Sequence, residues 1–507
     1  MKKSLVQKRR VMVIFAGFIA TGAGVAAYAA EHHDHPVPEK LGAVTFPTSC
    51  NPASQKKFER AVALLHSFAY SATENAFREL ITTDPQCAMA HWGLAMSYVH
   101  PLWEPHIYPD DAAKGQQAIQ DAKRLGGSER ERGFIDALDQ LYANAESAPY
   151  PKRAVAYATA MEKLAQRYPN DVECQVFYAL SLLSISSPAD KTHVKDKKAA
   201  DILEPLFKKL PQHPGVAHYL IHACDNSEMA RRGVEAARLY AQIAPSAPHA
   251  LHMPSHIHTR LGMWEDSIAS NRAARKAARD EGDIGEELHA MDYLTYAYLQ
   301  LGRNEEAAAV LKDLAGMPNL RSNEFKVGYA ASAMPIRYAI ERQNWNDAAR
   351  LEPIAGTPAH VHALTIWARA VGSARGGNAA AARQELPGLE ADQSKLQSIG
   401  EDYWALQVKV LMTEAAAWIA FAEGKGDEAI RLMRQAADEE DSVEKRPVTP
   451  GPVVPAREQL GDLLLQLKRP QEAVAEFETA LRSAPLRRGA VQGKARALEA
   501  AASTKTG

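Results

Sequence analysis

The sequence predicts an all-α solenoid of about nine or ten helical hairpins with a concave groove. Two patterns carry that expectation. From Pro52 onward apolar residues recur at helical spacing in segments of roughly 12 to 18, separated by short Gly, Pro, Asn or Asp breaks, and no stretch alternates as a strand would. Composition supplies a bound: 59 Lys+Arg stand against 61 Asp+Glu in 507 residues. That balance gives no basic footprint for a nucleic acid. Hydrophobic residues at 46% suit a chain that packs, and four cysteines exclude a Cys-rich scaffold or a zinc ribbon.

The chain begins with Lys2, Lys3, Lys8, Arg9 and Arg10, then an apolar stretch from Val11 to Ala27, then Ala27-Tyr28-Ala29. This order reads as a signal peptide over residues 1–29, cleaved on export to a periplasmic or secreted location. An uncleaved anchor is the alternative, weakened by the Gly- and Ala-rich core. Arg9-Arg10 fits either plain positive charge or a twin-arginine signal. With no second run of eighteen apolar residues, no membrane span is expected after cleavage. Residues 30–49 form a His-rich tail. Cleavage after Ala29 or Ala30 leaves His32 or His33 third in the mature chain. A free amine, two backbone amides and a third-position imidazole make a square-planar nitrogen set for Cu(II) or Ni(II). A plain polar tail is the competing reading. In an oxidising compartment Cys50 and Cys87, before the first helix and at the start of the second hairpin, are candidates for a disulfide. Cys174 and Cys224 sit in helical patterns as small core residues.

The helical array covers residues 50–501. Its clearest unit is Leu460-Gly461, Leu464, Ala473, Phe477, Ala480 and Pro485. These fall at the offsets of a tetratricopeptide repeat (TPR), where small residues let paired helices approach and Phe477 packs between them. Ala61, Leu64, Phe77 and Pro85 form a weaker copy. Turns follow at Leu261-Gly262-Met263-Trp264, Leu301-Gly302-Arg303-Asn304, Gln343-Asn344-Trp345, Gly376-Gly377-Asn378 and Gly424-Lys425-Gly426. The spacing stretches at 144–151, 186–194 and 441–455. The last, with Pro447, Pro450 and Pro452, is too Pro-rich to be helical and reads as an ordered excursion or lid, with a plain linker as the competing reading.

Histidine is concentrated between His213 and His258, where seven of the chain's 18 lie. His218 and His222 precede His252 and His256 by one 34-residue period, and Asp292 and Tyr296 take the matching places in the next repeat. Gly215, His249 and His289 share another position. At 100° per residue His218, His222 and Asp225 share one helix face, as do His249, His252 and His256. Imidazoles at i and i+4 chelate one metal, and a carboxylate adds charge compensation. His218, His222, His252 and His256 are therefore candidate ligands. Asp225, His249, His289 and Asp292 are further ligands or groups that orient the imidazoles. His218, His252 and Asp292 together would make a two-histidine, one-carboxylate set, suited to Fe or Zn. The competing reading is a stripe of neutral histidines lining a binding groove. Pro254 lies inside the second histidine helix and leaves its register open. His66 and His100 read as core or edge histidines.

With these residues the chain resembles exported bacterial TPR proteins over most of its mature length. Ala247-Pro248-His249-Ala250-Leu251-His252-Met253-Pro254-Ser255-His256-Ile257 and the Pro447–Pro452 excursion look like features of a group within them. The resemblance implies capture of a peptide, protein or small ligand on the concave face. The histidines add a divalent transition metal, Zn or Fe, to that expectation. The sequence carries no Gly-x-Ser-x-Gly elbow, Walker loop, dinucleotide fingerprint, His-Glu-x-x-His or haem-attachment motif. A metal-dependent oxygenase or hydrolase in the groove is the alternative.

Overall fold

Helix follows helix in antiparallel pairs, from Gln55–His66 with Tyr70–Thr83 to Ala456–Gln466 with Pro470–Ser483. A single helix, Arg488–Ser503, closes the array. The computed structural model describes residues 39–102, 107–143 and 148–503, and from Lys40 onward they form one compact unit. The segment read as a signal peptide, His32 and His33 lie outside the described residues, as does half of the 144–151 stretch. No strand occurs among the described residues, and the chain is a TPR-type helical solenoid.

The small-residue rule of these hairpins is visible at both ends. A Cβ on Gly93 would stand 2.2 Å from the Phe77 ring, and one on Gly461 2.7 Å from the Phe477 ring. Each glycine lets a neighbouring helix close over a fully buried phenylalanine. The Cys50–Cys87 disulfide pins the start of the array. Residues 40–49, the end of the segment read as tail, are threaded into the fold. Ala43 N–H donates to Gln212 O at 2.8 Å, and the Phe46 ring lies 5.0 Å from that of Phe134 and 5.8 Å from that of Trp92.

Two features set the shape. The array curls until its end meets its middle: Trp264 Nε1–H donates to Leu486 O at 3.2 Å, and Arg488 N–H to Gln300 Oε1 at 3.0 Å. Gly262, at φ +70°, permits this approach, since a Cβ there would meet Pro485 O at 2.4 Å. Second, the excursion at 443–455 is an ordered strap across the inner face. Tyr293 O–H donates to Thr449 O at 3.2 Å, Arg337 to Gly451 O at 3.0 Å, and Glu444 N–H to Pro188 O at 2.7 Å. Val448 joins the hydrophobic core of the first half, and Val453 that of the second. The inner face is thus filled by the chain's own backbone where the sequence alone suggested an open groove. One described helix, Asp402–Ala422, is long and apolar enough to cross a membrane. Its Ala405, Val408, Ala415 and Trp418 are buried in the repeat core.

Candidate metal centre

The histidines come from three consecutive repeats. Pro214–Ala223 carries His218 and His222, and Ile284–Gln300 carries His289. Between them the helix is split into Pro248–His252 and Pro254–Arg260. Met253 has helical φ −53° and ψ −35°, and Pro254 begins the second segment at its first turn, where a missing N–H costs nothing. The helix therefore restarts in line, and the i, i+4 relation of His252 to His256 survives the proline.

Two three-histidine sets result. The ligand atoms of His218, His222 and His249 lie within 4.8 Å of one another, as do those of His252, His256 and His289. Each set joins an i, i+4 pair to the histidine opening the next repeat. All six are buried, His222 least so at 8% exposure. Phe68 roofs the first set, its ring 4.4 Å from that of His218 and 5.6 Å from that of His249. Tyr293 flanks the second, 4.7 Å from His252 and 5.3 Å from His289. The sets adjoin, with 5.7 Å between the His222 and His256 rings.

Hydrogen bonds fix the tautomers. His218 Nδ1–H donates to His66 O at 2.6 Å. His252 Nδ1 faces Asn271 Oδ1 at 2.6 Å, and Asn271 Nδ2–H donates to Ser267 O, which orients the amide. His256 Nδ1–H donates to the Asp225 carboxylate at 2.9 Å. With both Nδ1 atoms protonated, the neutral rings of His252 and His256 turn bare Nε2 lone pairs toward each other at 3.0 Å. In the first set the Nε2 atoms of His218 and His222 stand 3.1 Å apart. Two nitrogens on one tetrahedral zinc, bonded at about 2.0–2.1 Å, lie about 3.3 Å apart.

Electrostatics oppose a proton between them. Burial first, and then neighbouring imidazoles, hold His218, His222, His252 and His289 well below the usual histidine range. Burial also lowers His256, against the upward pull of Asp225. Asp225 remains a carboxylate: burial raises its pKa, but Lys445, Arg260 and His256 together hold it well below normal. Lys445 Nζ, contributed by the strap, is 3.1 Å from Asp225 Oδ2, and burial lowers its ammonium to about 8. Glu286 Oε2 lies 3.3 Å from His249 Nδ1, and Lys326 pairs with the other oxygen. The donor set, six imidazoles of which His218, His249, His252 and His256 are oriented by a carbonyl, an amide and two carboxylates, suits transition-metal ions.

Asp225 and His249 thus lie at the site, Asp225 as an orienting partner. Asp292 does not reach an imidazole. Its Oδ1 is 2.8 Å from buried Arg337 Nε, and the Arg337 guanidinium also sits 5.2 Å from the Tyr296 ring. In this third repeat an arginine occupies the place between the two residues equivalent to the histidine pairs. Glu286, Asn271, Phe68 and Lys445 were not singled out as site residues in the sequence. Glu286, three residues before His289, was the detectable one, since i and i+3 share a face.

Residues 454–485 match the family model described as tetratricopeptide repeat. They are a tetratricopeptide repeat. This TPR contains the Leu460–Pro485 unit and follows directly on the strap. Among solved structures, the chain is similar to the human IFIT1 dimer with m7Gppp-AAAA, at 14% identity and TM-score 0.34, over 82% of this chain and 90% of that one. It is also similar to yeast Tom70, at 11% identity and TM-score 0.30, over 88% of each chain. No curated protein matches the sequence.

Proposed function

We propose that this TPR solenoid is an exported metal-binding protein that holds one divalent transition-metal ion in each three-histidine set. The facing bare Nε2 atoms of His252 and His256 carry the reading. Two lone pairs at 3.0 Å repel unless a cation lies between them, and burial disfavours a proton there. A metal ion resolves the conflict. Zn and Fe fit the imidazole sets, and three nitrogen donors also suit Cu. Export rests on the sequence of residues 1–29 and agrees with the Cys50–Cys87 disulfide. Ligand capture belongs to a small molecule rather than a peptide, because the strap fills the inner face and leaves a cavity of about 310 Å³ beside His222.

Elemental analysis of untagged full-length protein tests this, with His32→Ala and His33→Ala introduced so that the tail contributes nothing. Two ions per chain are expected, falling to one when His289 is also replaced by alanine. Equal, near-zero metal in both proteins would defeat the proposal.

A further inference from the structure

The two sets differ in their access to solvent. Of the six imidazoles only His222 lines the 310 Å³ cavity. The second set is closed on every side the structure describes: Asn271, Asp225 and Tyr293 surround it, and none of its histidines exceeds 3% exposure. The cavity has one apolar wall, with Leu102 and Ile185, and one polar wall, with Asn226, Lys445 and Arg446. Asp196, Asp225 and Glu444 also line it, but each is already engaged: Asp225 by His256, Arg260 and Lys445, Glu444 by Lys191 and Arg260, and Asp196 by His193. The Arg446 guanidinium, 4.7 Å from the Tyr403 ring, is the cation of this wall not paired with one of these carboxylates and favours an anion beside His222. The chamber is at the small end of ligand sites, with room for about ten waters and too little for a folded partner.

Three nitrogen donors leave a tetrahedral ion one open position. Resting on the metal reading above, we propose that the two centres are unequal. The ion held by His218, His222 and His249 takes up a small anion from the cavity at its open position, while the ion held by His252, His256 and His289 is occluded and structural.

The test uses full-length His32→Ala/His33→Ala protein loaded with Co(II), whose visible spectrum changes when a new ligand binds. Azide is the probe. One azide per two Co(II) is expected. Leu102→Trp and Ser186→Trp narrow the cavity from two part-exposed wall positions. Each should retain both Co(II) ions and weaken azide at least tenfold. Azide on both ions, no azide on protein holding two Co(II), or unchanged affinity in both tryptophan variants would each overturn the inequality and leave the metal reading standing. Failure to take up Co(II) at all would overturn both.

Discussion

His66, Glu173 and His213 form a further buried cluster with metal-like spacing, and this first cluster makes an instructive contrast with a second, His252, His256 and His289. In the first cluster every nitrogen is accounted for. His213 Nδ1 accepts Val216 N–H at 3.2 Å, so its Nε2–H donates to Glu173 Oε1 at 2.9 Å. His66 Nε2 meets Glu173 Oε2 at 3.0 Å, and its Nδ1 meets the Tyr219 hydroxyl at 2.9 Å. One carboxylate takes both N–H groups, and a hydroxyl serves the remaining nitrogen. In the other cluster the acceptors of His252 and His256 lie on the outside and their bare Nε2 atoms converge. Histidine density therefore does not distinguish a metal site from a core network. The partner of the other ring nitrogen does.

The largest expected effect breaks the closed cluster. Glu173→Ala leaves two buried imidazoles without their acceptor and should cost about 3–5 kcal/mol. Urea unfolding of apoprotein measures it, and metal content in the folded fraction should stay at the wild-type value. If Glu173→Ala lost metal while keeping its stability, the assignment of the two clusters would be reversed.

A smaller effect sharpens the converging cluster. Asp225→Asn removes the charge behind His256 and should weaken metal binding about 10–100-fold, the usual cost of losing a partner that orients a ligand. Competition with a chromophoric chelator reads it. Unchanged affinity would show that Asp225 serves only the strap.

The smallest effect uses a buried histidine belonging to neither cluster. His360 stacks on Trp404 with ring centroids 4.2 Å apart, and its Nε2 has no hydrogen-bond partner. Burial, aided by Arg446, pushes its imidazole down to about 3. Above the ordinary value of 6.5 the ring is neutral in folded and unfolded chains alike. As pH falls from 6.5 toward 3 the unfolded chain takes up the proton first, so stability is lost across that window. His360→Phe should relieve about 1.4 kcal/mol of that loss per pH unit. Urea midpoints at pH 7 and pH 5 provide the check, and parallel losses in both proteins would contradict it.

The helical array was legible because each hairpin writes its own period and break residues into the chain. The histidine pairs were legible for the same reason: the 34-residue spacing places His218 and His222 in register with His252 and His256. The third member of each set was harder to place. Same-face reasoning kept His249 with His252, yet His249 completes the preceding pair, because contacts between repeats depend on how far each hairpin rotates on its neighbour. Asp292 shows the same limit. It holds the equivalent position in its repeat, but Arg337 reaches it from Phe325–Glu341, the first helix of the following repeat. Lys445 is 220 residues from Asp225, and no local pattern encodes that contact.

The strap changes how such an array comes apart. A plain solenoid touches only its nearest neighbours and can fray from either end, each hairpin unfolding with its own local stability. Here Glu444 bonds to Pro188, and Val448 and Val453 sit in different cores. Pro485 and Leu486 also close against Gly262 and Trp264. Loosening one terminus must therefore release contacts more than two hundred residues away. The array is a latched loop, built to unfold in one cooperative transition and to resist unzipping from its ends.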